Sequence, residues 1–294
     1  NNYLSRLNVR WQPFVDGCQQ WSVGGVLQQR QFFADRVQPH LQRKGKLCVL
    51  ISDALRYEVG EELQRLIRQE NRFDAELAPM LASLPSYTQL GMAALLPHQR
   101  LELAEDGSGD VLADSISAKG SDNRTRILAQ AVPASAVVLA KDVLAMGKEE
   151  SRALVREHEV VYVYHNLIDK VGDTRDTEER VFAAAQDTLG ELLLLIKKLV
   201  NANASHVLVT ADHGFIYQNQ PLQESDFVSA EPEGASILYR DRRFVLGRGL
   251  REQSSFKTWQ PEQLGLGGSL QVQMPTPIQR LRLQGSGSRF VHGG

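Results

Sequence analysis

Cysteine is almost missing from this chain, which has only Cys18 and Cys48 among its 294 residues. Cys48 lies inside an apolar, strand-like run, so nothing resembles a disulfide framework or a cysteine-based zinc site. That scarcity fits a reducing cytoplasm. Long apolar runs are missing too: no stretch reaches the ~18 to 20 residues needed to cross a bilayer, and Leu192 to Leu195 is a short stripe within a helix. No membrane partner is expected. Nor does one sign of charge dominate, and a net charge of -2 makes no case for wholesale binding to nucleic acid or an anionic surface. There is no internal repeat and no low-complexity tract. No methionine precedes Asn1 and the chain stops at Gly293-Gly294, so it reads as a piece of a longer protein, truncated at both ends.

What is present is ordinary globular material, 42% hydrophobic and 23% charged, enough for a full core. Charge is uneven in one place. From Ser236 onward Arg240, Arg242, Arg243, Arg248, Arg251, Lys257, Arg280, Arg282 and Arg289 face only Asp241, Glu252 and Glu262. This is either an anion-facing surface or a solvated basic face.

Periodicity gives the organisation. Residues 1–44 read as a helical lead-in, with Trp11, Trp21 and a helix from about Val26 to Gln42. Lys46 to Ile51 is a continuous apolar run, expected of a central parallel strand covered on both faces, and it ends in Ser52-Asp53. Arg56 to Asn71 reads as the next helix, Phe73 to Met80 as a second strand, and Thr88 to Leu96 as a helix stopped by Pro97. Glu105 to Asn123 reads as a loop or small insertion, Lys141 to Glu157 as a helix, Val160 to Tyr164 as a strand and Thr177 to Val200 as a long helix. Val207 to Thr210 is a further strand. Gly247, Gly249, Gly265, Gly267, Gly268, Gly285 and Gly287 then punctuate short apolar pieces, a β-rich insertion over about 218–288, before a return strand at Arg289 to His292. Alternating strands and helices predict an α/β fold with a doubly wound, mostly parallel central sheet flanked by helices, within one domain over 45–294.

Acids and imidazoles cluster at the ends of these strands, where open α/β sheets bind ligands. Asp53 ends the first. Asp169 and Asp173 follow the Val160 strand four residues apart, a spacing that shares one face of a helical turn. Asp212 and His213 follow Thr210, flanked by the small Ala211 and Gly214, and His292 ends the last strand. Carboxylate oxygen and imidazole nitrogen are the donors that zinc and its first-row neighbours accept, and six of them suit a pair of ions at a ~3.5 to 4 Å separation.

The series resembles the PglZ branch of the alkaline phosphatase superfamily, found in the BREX class of bacterial phage-defence systems. The resemblance rests on Ser52-Asp53-Ala54-Leu55-Arg56-Tyr57-Glu58, Leu84-Pro85-Ser86-Tyr87-Thr88-Gln89, Tyr164 to Asp173, Thr210 to Gly214 and Val291-His292-Gly293-Gly294, in family order. It implies one metal site of Asp53, Thr88, Asp212 and His213 and another of Asp169, Asp173 and His292. It also implies a nucleophile within Ser83 to Thr88, with Thr88 the choice and Ser86 and Ser83 the runners-up. Asp173 stands where many superfamily members carry His, which makes the site harder, so manganese or magnesium competes with zinc.

Arg56 and Lys170 are the nearest cations for the non-bridging oxygens of a phosphoryl group. The activity implied is hydrolysis of a phosphoester, a diester before a monoester, with a nucleotide or nucleic acid among the substrates and other BREX proteins as partners. Two alternatives stay open: a catalytically silent metal- or nucleotide-binding interaction module, and a phosphomutase or sulfatase relative.

Overall fold

A computed structural model describes residues 2–276, 278–283 and 289–293. Gly285, Gly287 and Gly294 lie outside the described residues. At the centre is a four-stranded parallel sheet of β1 (Leu47–Ser52), β2 (Ser135–Leu139), β3 (Val160–His165) and β4 (His206–Thr210), in the order β2-β3-β1-β4. Every residue of β1 and β3 is buried, as their unbroken apolarity requires.

Side-chain alternation divides these strands between two cores. Leu47, Val49 and Ile51 join Tyr162, Tyr164 and Leu90 on one face, while Cys48 and Leu50 join Val161 and Val163 on the other. Helices cover both faces, α1 (Tyr57–Gln69) setting Leu63 and Ile67 on the second core. The long helix α4 (Val181–Asn201) lays Leu189, Leu192, Ile196 and Leu199 on the second core, a spacing that keeps one stripe inward. The fold is therefore α/β with a parallel sheet between helical layers, and additional antiparallel sheets beside it.

Register brings the strand ends together. Ser52 is level with His165, and Ile51 with both Tyr164 and Thr210, so the residues that follow β1, β3 and β4 emerge along one edge. Between β4 and that edge's last member, the β-rich insertion forms an antiparallel sheet in the order Ser236–Arg240, Val245–Arg248, Gln271–Pro275, Phe256–Trp259. The chain then returns as β6 (Phe290–His292), antiparallel to β5 (Phe215–Tyr217), with Phe215 opposite His292.

Four expectations differ from the structure. Phe73 to Met80 forms no strand of the central sheet; only Met80–Leu81 pairs, with Leu27–Gln28. Asp74 and Glu76 interrupt its apolarity, and the Ala75 carbonyl is taken by Gln64 and Arg68 side chains instead of a neighbouring strand. The Lys141 to Glu157 helix is two, Ala140–Ala145 and Lys148–Glu157, divided at Met146-Gly147. Glu105 to Asn123 is not a loop throughout: Val111–Ala113 pairs with both Leu101–Leu103 and Ile116–Ser117, and the helix Ser121–Ala131 begins inside it. Val26 to Gln42 is a composite of short 3-10, π and α turns, preceded by a helix at Asn2–Gly17.

Candidate metal centre

Asp53 is placed by backbone. Its N–H donates to the His165 carbonyl (2.7 Å), carrying the β1–β3 ladder one residue past the strand, and its side chain sits almost wholly out of solvent. Ala54 then turns in the left-handed region (φ 63°), which costs a residue with a Cβ of order 1 kcal/mol. That turn aims the Ala54 N–H at Asp212 Oδ1 (3.2 Å).

Asp212 is held from two further sides. The buried Gln29 donates from Nε2 to the carbonyls of Ala211 (3.1 Å) and Asp212 (2.6 Å), while its Oε1 accepts from the Ser83 N–H (3.1 Å). Against the same carbonyl lies Gly91, in α2 (Thr88–Ala94), where an added Cβ would stand 2.2 Å from the Asp212 oxygen. Alanine is the better helix former by ~1 kcal/mol, yet here the obstructing atoms are backbone and cannot swing away. Gly91→Ala is therefore expected to lower stability by about 1 to 3 kcal/mol and to weaken metal uptake. A thermal melt that rises, with uptake unchanged, contradicts this packing.

His213 faces the cluster with its acceptor nitrogen. Nδ1 donates to the Gly214 carbonyl (2.7 Å), which fixes the proton there and leaves Nε2 to accept from Thr88 Oγ1 (3.0 Å). That same Nε2 is 3.3 Å from Asp53 Oδ1 and 3.4 Å from Asp212 Oδ2. Asp169 comes from the helix α3 (Leu167–Gly172) and stands with its Oδ1 3.3 Å from His292 Nε2. His292 is carried by β6, whose Phe290 stacks on Phe215 with ring centroids 5.1 Å apart. The donor atoms of Asp53, Asp212 and His213 lie within 4.8 Å of one another, and so do those of Asp169, His213 and His292.

The electrostatics describe a site made for cations. Burial, then the charges of Asp212 and Asp169, hold the Asp53 carboxyl well above the usual carboxylate range. Burial pushes Asp212 up to about 7. Burial also opposes charge on Asp169 and His292, but their close approach and mutual attraction win, lowering Asp169 and raising His292 to about 9. His213 is lowered by burial and by the charge of His292. Asp53 Oδ1, Asp169 Oδ1, Asp212 Oδ2 and His292 Nε2 are all buried without a hydrogen-bond partner. Buried polar atoms without partners are costly and rare, and four turned to one place fit divalent cations with oxygen and nitrogen ligands.

The remaining expected residues are arranged differently. Asp173 caps α3 and is half-exposed; its Oδ1 accepts from Arg242 Nη1 (2.9 Å), and it belongs to neither donor group. Arg56 pairs with Glu58, lies over the Phe215 ring (4.9 Å), and lines a cavity of about 730 Å³ together with Asp212 and His213. Lys170 is exposed. Of the runner-up hydroxyls, Ser86 Oγ is buried without a partner.

Three contributors were not singled out from the sequence. Gln29 lies far from every motif in the chain, Arg242 was one of many basic residues, and Ser52 and His165 stood inside motifs without a role of their own. Ser52 Oγ donates to His165 Nδ1 (3.0 Å), and His165 Nε2 donates to Glu191 of α4 (3.0 Å), locking two strand ends to the covering helix. A buried polar residue inside a motif was the available signal for the last pair.

The basic excess after Ser236 meets acids from elsewhere: Arg240 pairs with Glu231, Arg248 with Glu105, Arg251 with Glu233, Arg282 with Glu224 and Arg289 with Glu179. Most of it is a paired surface rather than an anion track.

Comparison with known proteins bears on the family and the fold. The family model of the BREX system PglZ alkaline phosphatase-like domain matches residues 32–294. The alkaline phosphatase-like protein BrxZ of Escherichia coli O9:H4 (strain HS) is 39% identical, and the alkaline phosphatase-like protein PglZ of Bacillus cereus (strain H3081.97) 35% identical, each across 100% of this chain. Both matches cover 34% of the relative, so the chain spans about a third of the length of these curated relatives. Murine ectonucleotide pyrophosphatase/phosphodiesterase 5 superposes with a TM-score of 0.51 at 11% identity, over 84% of each chain. A threonine-to-alanine form of that protein, described as inactive and in complex with AMP, gives 0.50 at 10% identity, over 85% of this chain and 84% of its own. At such identity the likeness is one of fold.

Proposed function

The chain belongs to the family of BREX system PglZ alkaline phosphatase-like domains, and within that family we propose that it is a metal-dependent phosphoesterase, acting on diesters, with Thr88 as nucleophile. The observation that carries this reading is the meeting of Asp53, Asp169, Asp212, His213, His292 and Thr88, from five separate stretches of chain, around unpartnered buried donor atoms.

Asp53, Thr88, Asp212 and His213 would hold one divalent ion and Asp169 and His292 a second, which Asp173 would join only on leaving Arg242, zinc before manganese or magnesium. When bound, such ions supply Lewis acidity that lowers the pKa of a hydroxyl and stabilises a leaving oxygen. The residues do the rest. Thr88 Oγ1 attacks phosphorus in line with the ester oxygen that leaves, and water then hydrolyses the phosphothreonine. The Gly214 carbonyl keeps the proton on His213 Nδ1 and so keeps Nε2 turned to Thr88. Arg56, with one edge in the cavity beside Asp212, offers positive charge to the substrate. In the cell the domain would act as part of a BREX defence system, with other proteins of that system as partners and a nucleotide or nucleic acid as the ester.

No helix among the described residues is long and apolar enough to cross a membrane. That agrees with a bacterial cytoplasmic setting, which is part of the proposal.

The test is hydrolysis of bis(4-nitrophenyl) phosphate and 4-nitrophenyl phosphate by purified protein, stripped with chelator and resupplied with zinc, manganese or magnesium. Diester turnover that requires the added ion and exceeds monoester turnover is expected. Protein carrying two ions by elemental analysis, yet inert toward both esters, would end this reading.

A further inference from the structure

The carboxylates of Asp53, Asp169 and Asp212 meet at the proposed centre with Asp173 at its edge, and together they would offset most of the charge of two divalent ions. An anionic ester then needs a cation of its own. Arg56 offers its charge from the Asp212 side of the cavity while paired with Glu58, and Lys170 is exposed, so neither serves the Asp169 side. Arg242 is better placed. It sits in the turn between the insertion strands Ser236–Arg240 and Val245–Arg248, and its guanidinium reaches Asp173 Oδ1 (2.9 Å) and the Phe290 carbonyl (3.3 Å), two residues from His292. Its charge is felt at Asp169. Its Nε is buried without a partner.

The turn that carries Arg242 is anchored on both sides of the site. Its N–H donates to Asp241 Oδ1 (2.6 Å) and its carbonyl accepts from the Leu281 N–H (2.7 Å). Phe244, two residues on, packs against the buried Tyr87, ring centroids 4.9 Å apart, and Tyr87 directly precedes Thr88. One insertion hairpin therefore touches the neighbour of the nucleophile with Phe244 and the second donor group with Arg242, which fixes the span between them.

We propose that Arg242 is the guanidinium that binds the anionic oxygens of the phosphoryl group, an inference that rests on the phosphoesterase reading of the site. A planar fork of N–H donors matches phosphate geometry better than an ammonium, so lysine is a partial substitute. Asp173 and the phosphoryl group compete for the same donors.

Inorganic phosphate binding to the zinc-loaded protein, followed by calorimetry beside elemental analysis, tests this. Arg242→Ala is expected to weaken phosphate binding at least tenfold with metal content unchanged, and Arg242→Lys to recover part of the loss. Equal phosphate affinity in Arg242→Ala and wild type overturns the assignment, as does loss of metal in step with loss of phosphate, which would make Arg242 a positioning residue for Asp173. Wild-type protein that holds two ions but binds no phosphate overturns the phosphoesterase reading itself, so the two failures are distinct.

Discussion

Thr88→Ala is expected to cut phosphodiester hydrolysis by about 10³- to 10⁶-fold, the range over which removing a nucleophile leaves only binding and electrostatic stabilisation. The substitution removes one hydroxyl from a half-buried position, and the bond it breaks, to His213 Nε2, is worth only ~1 kcal/mol. The thermal melt of the variant should therefore stay within a few degrees of wild type. Thr88→Ser keeps an oxygen at the same place and should retain measurable turnover. Wild-type rates from Thr88→Ala would remove Thr88 from the mechanism and turn attention to Ser86, whose Oγ is buried and unpartnered one residue before Tyr87.

The second large effect concerns Asp212, and its size depends on metal. In the metal-free protein this carboxyl is pushed up to about 7, against an unfolded value near 3.8. Between those two values the folded chain holds a proton that the unfolded chain has released, so stability falls as pH rises through that window and is lost above about 7. At ~1.4 kcal/mol per pH unit the difference approaches a few kcal/mol. Asp212→Asn removes the ionisation, so the metal-free variant should be more stable than metal-free wild type at pH 8 and equal to it near pH 4. With zinc the gap at pH 8 narrows. An ion at about 100 times its Kd adds ~2.7 kcal/mol to wild type, a gain the variant lacks. Melts at both pH values, with and without chelator, read all four corners. A chelated variant less stable than chelated wild type at pH 8 would show that the Asp212 charge is compensated by something other than a cation.

Much of the sheet and the site was legible because their signals are local. β1, β3 and β4 each carry a short apolar run, and an acid of the site follows each within four residues; parallel packing explains the first property and ligand binding at strand ends the second. β2 was not recognised. Like β4 it is an edge strand, only half-buried, but Ser135 to Leu139 runs straight into the helix that begins at Ala140, with no turn residue to separate the two. Phe73 to Met80 misled in the opposite direction, since Phe73, Ala75 and Leu77 alternate as a strand would, while tertiary packing gives the Ala75 carbonyl to the preceding helix. At the site, composition could name the donors but not their neighbours. Gln29 supports Asp212 across 183 positions of sequence, and Arg242 meets Asp173 across 69; nothing in either local pattern marks that contact.

The pairing of β5 with β6 also divides the centre into two parts. Asp53, Asp169 and Asp212 are brought level by the parallel sheet itself, but His292 reaches them only through the antiparallel pair that sets it opposite Phe215. The Asp53 group, with Asp212 and His213, rests on the sheet alone, while the Asp169 group rests on that pair as well. A change that loosens the last strand is therefore expected to cost the second group its imidazole while leaving the first group in place.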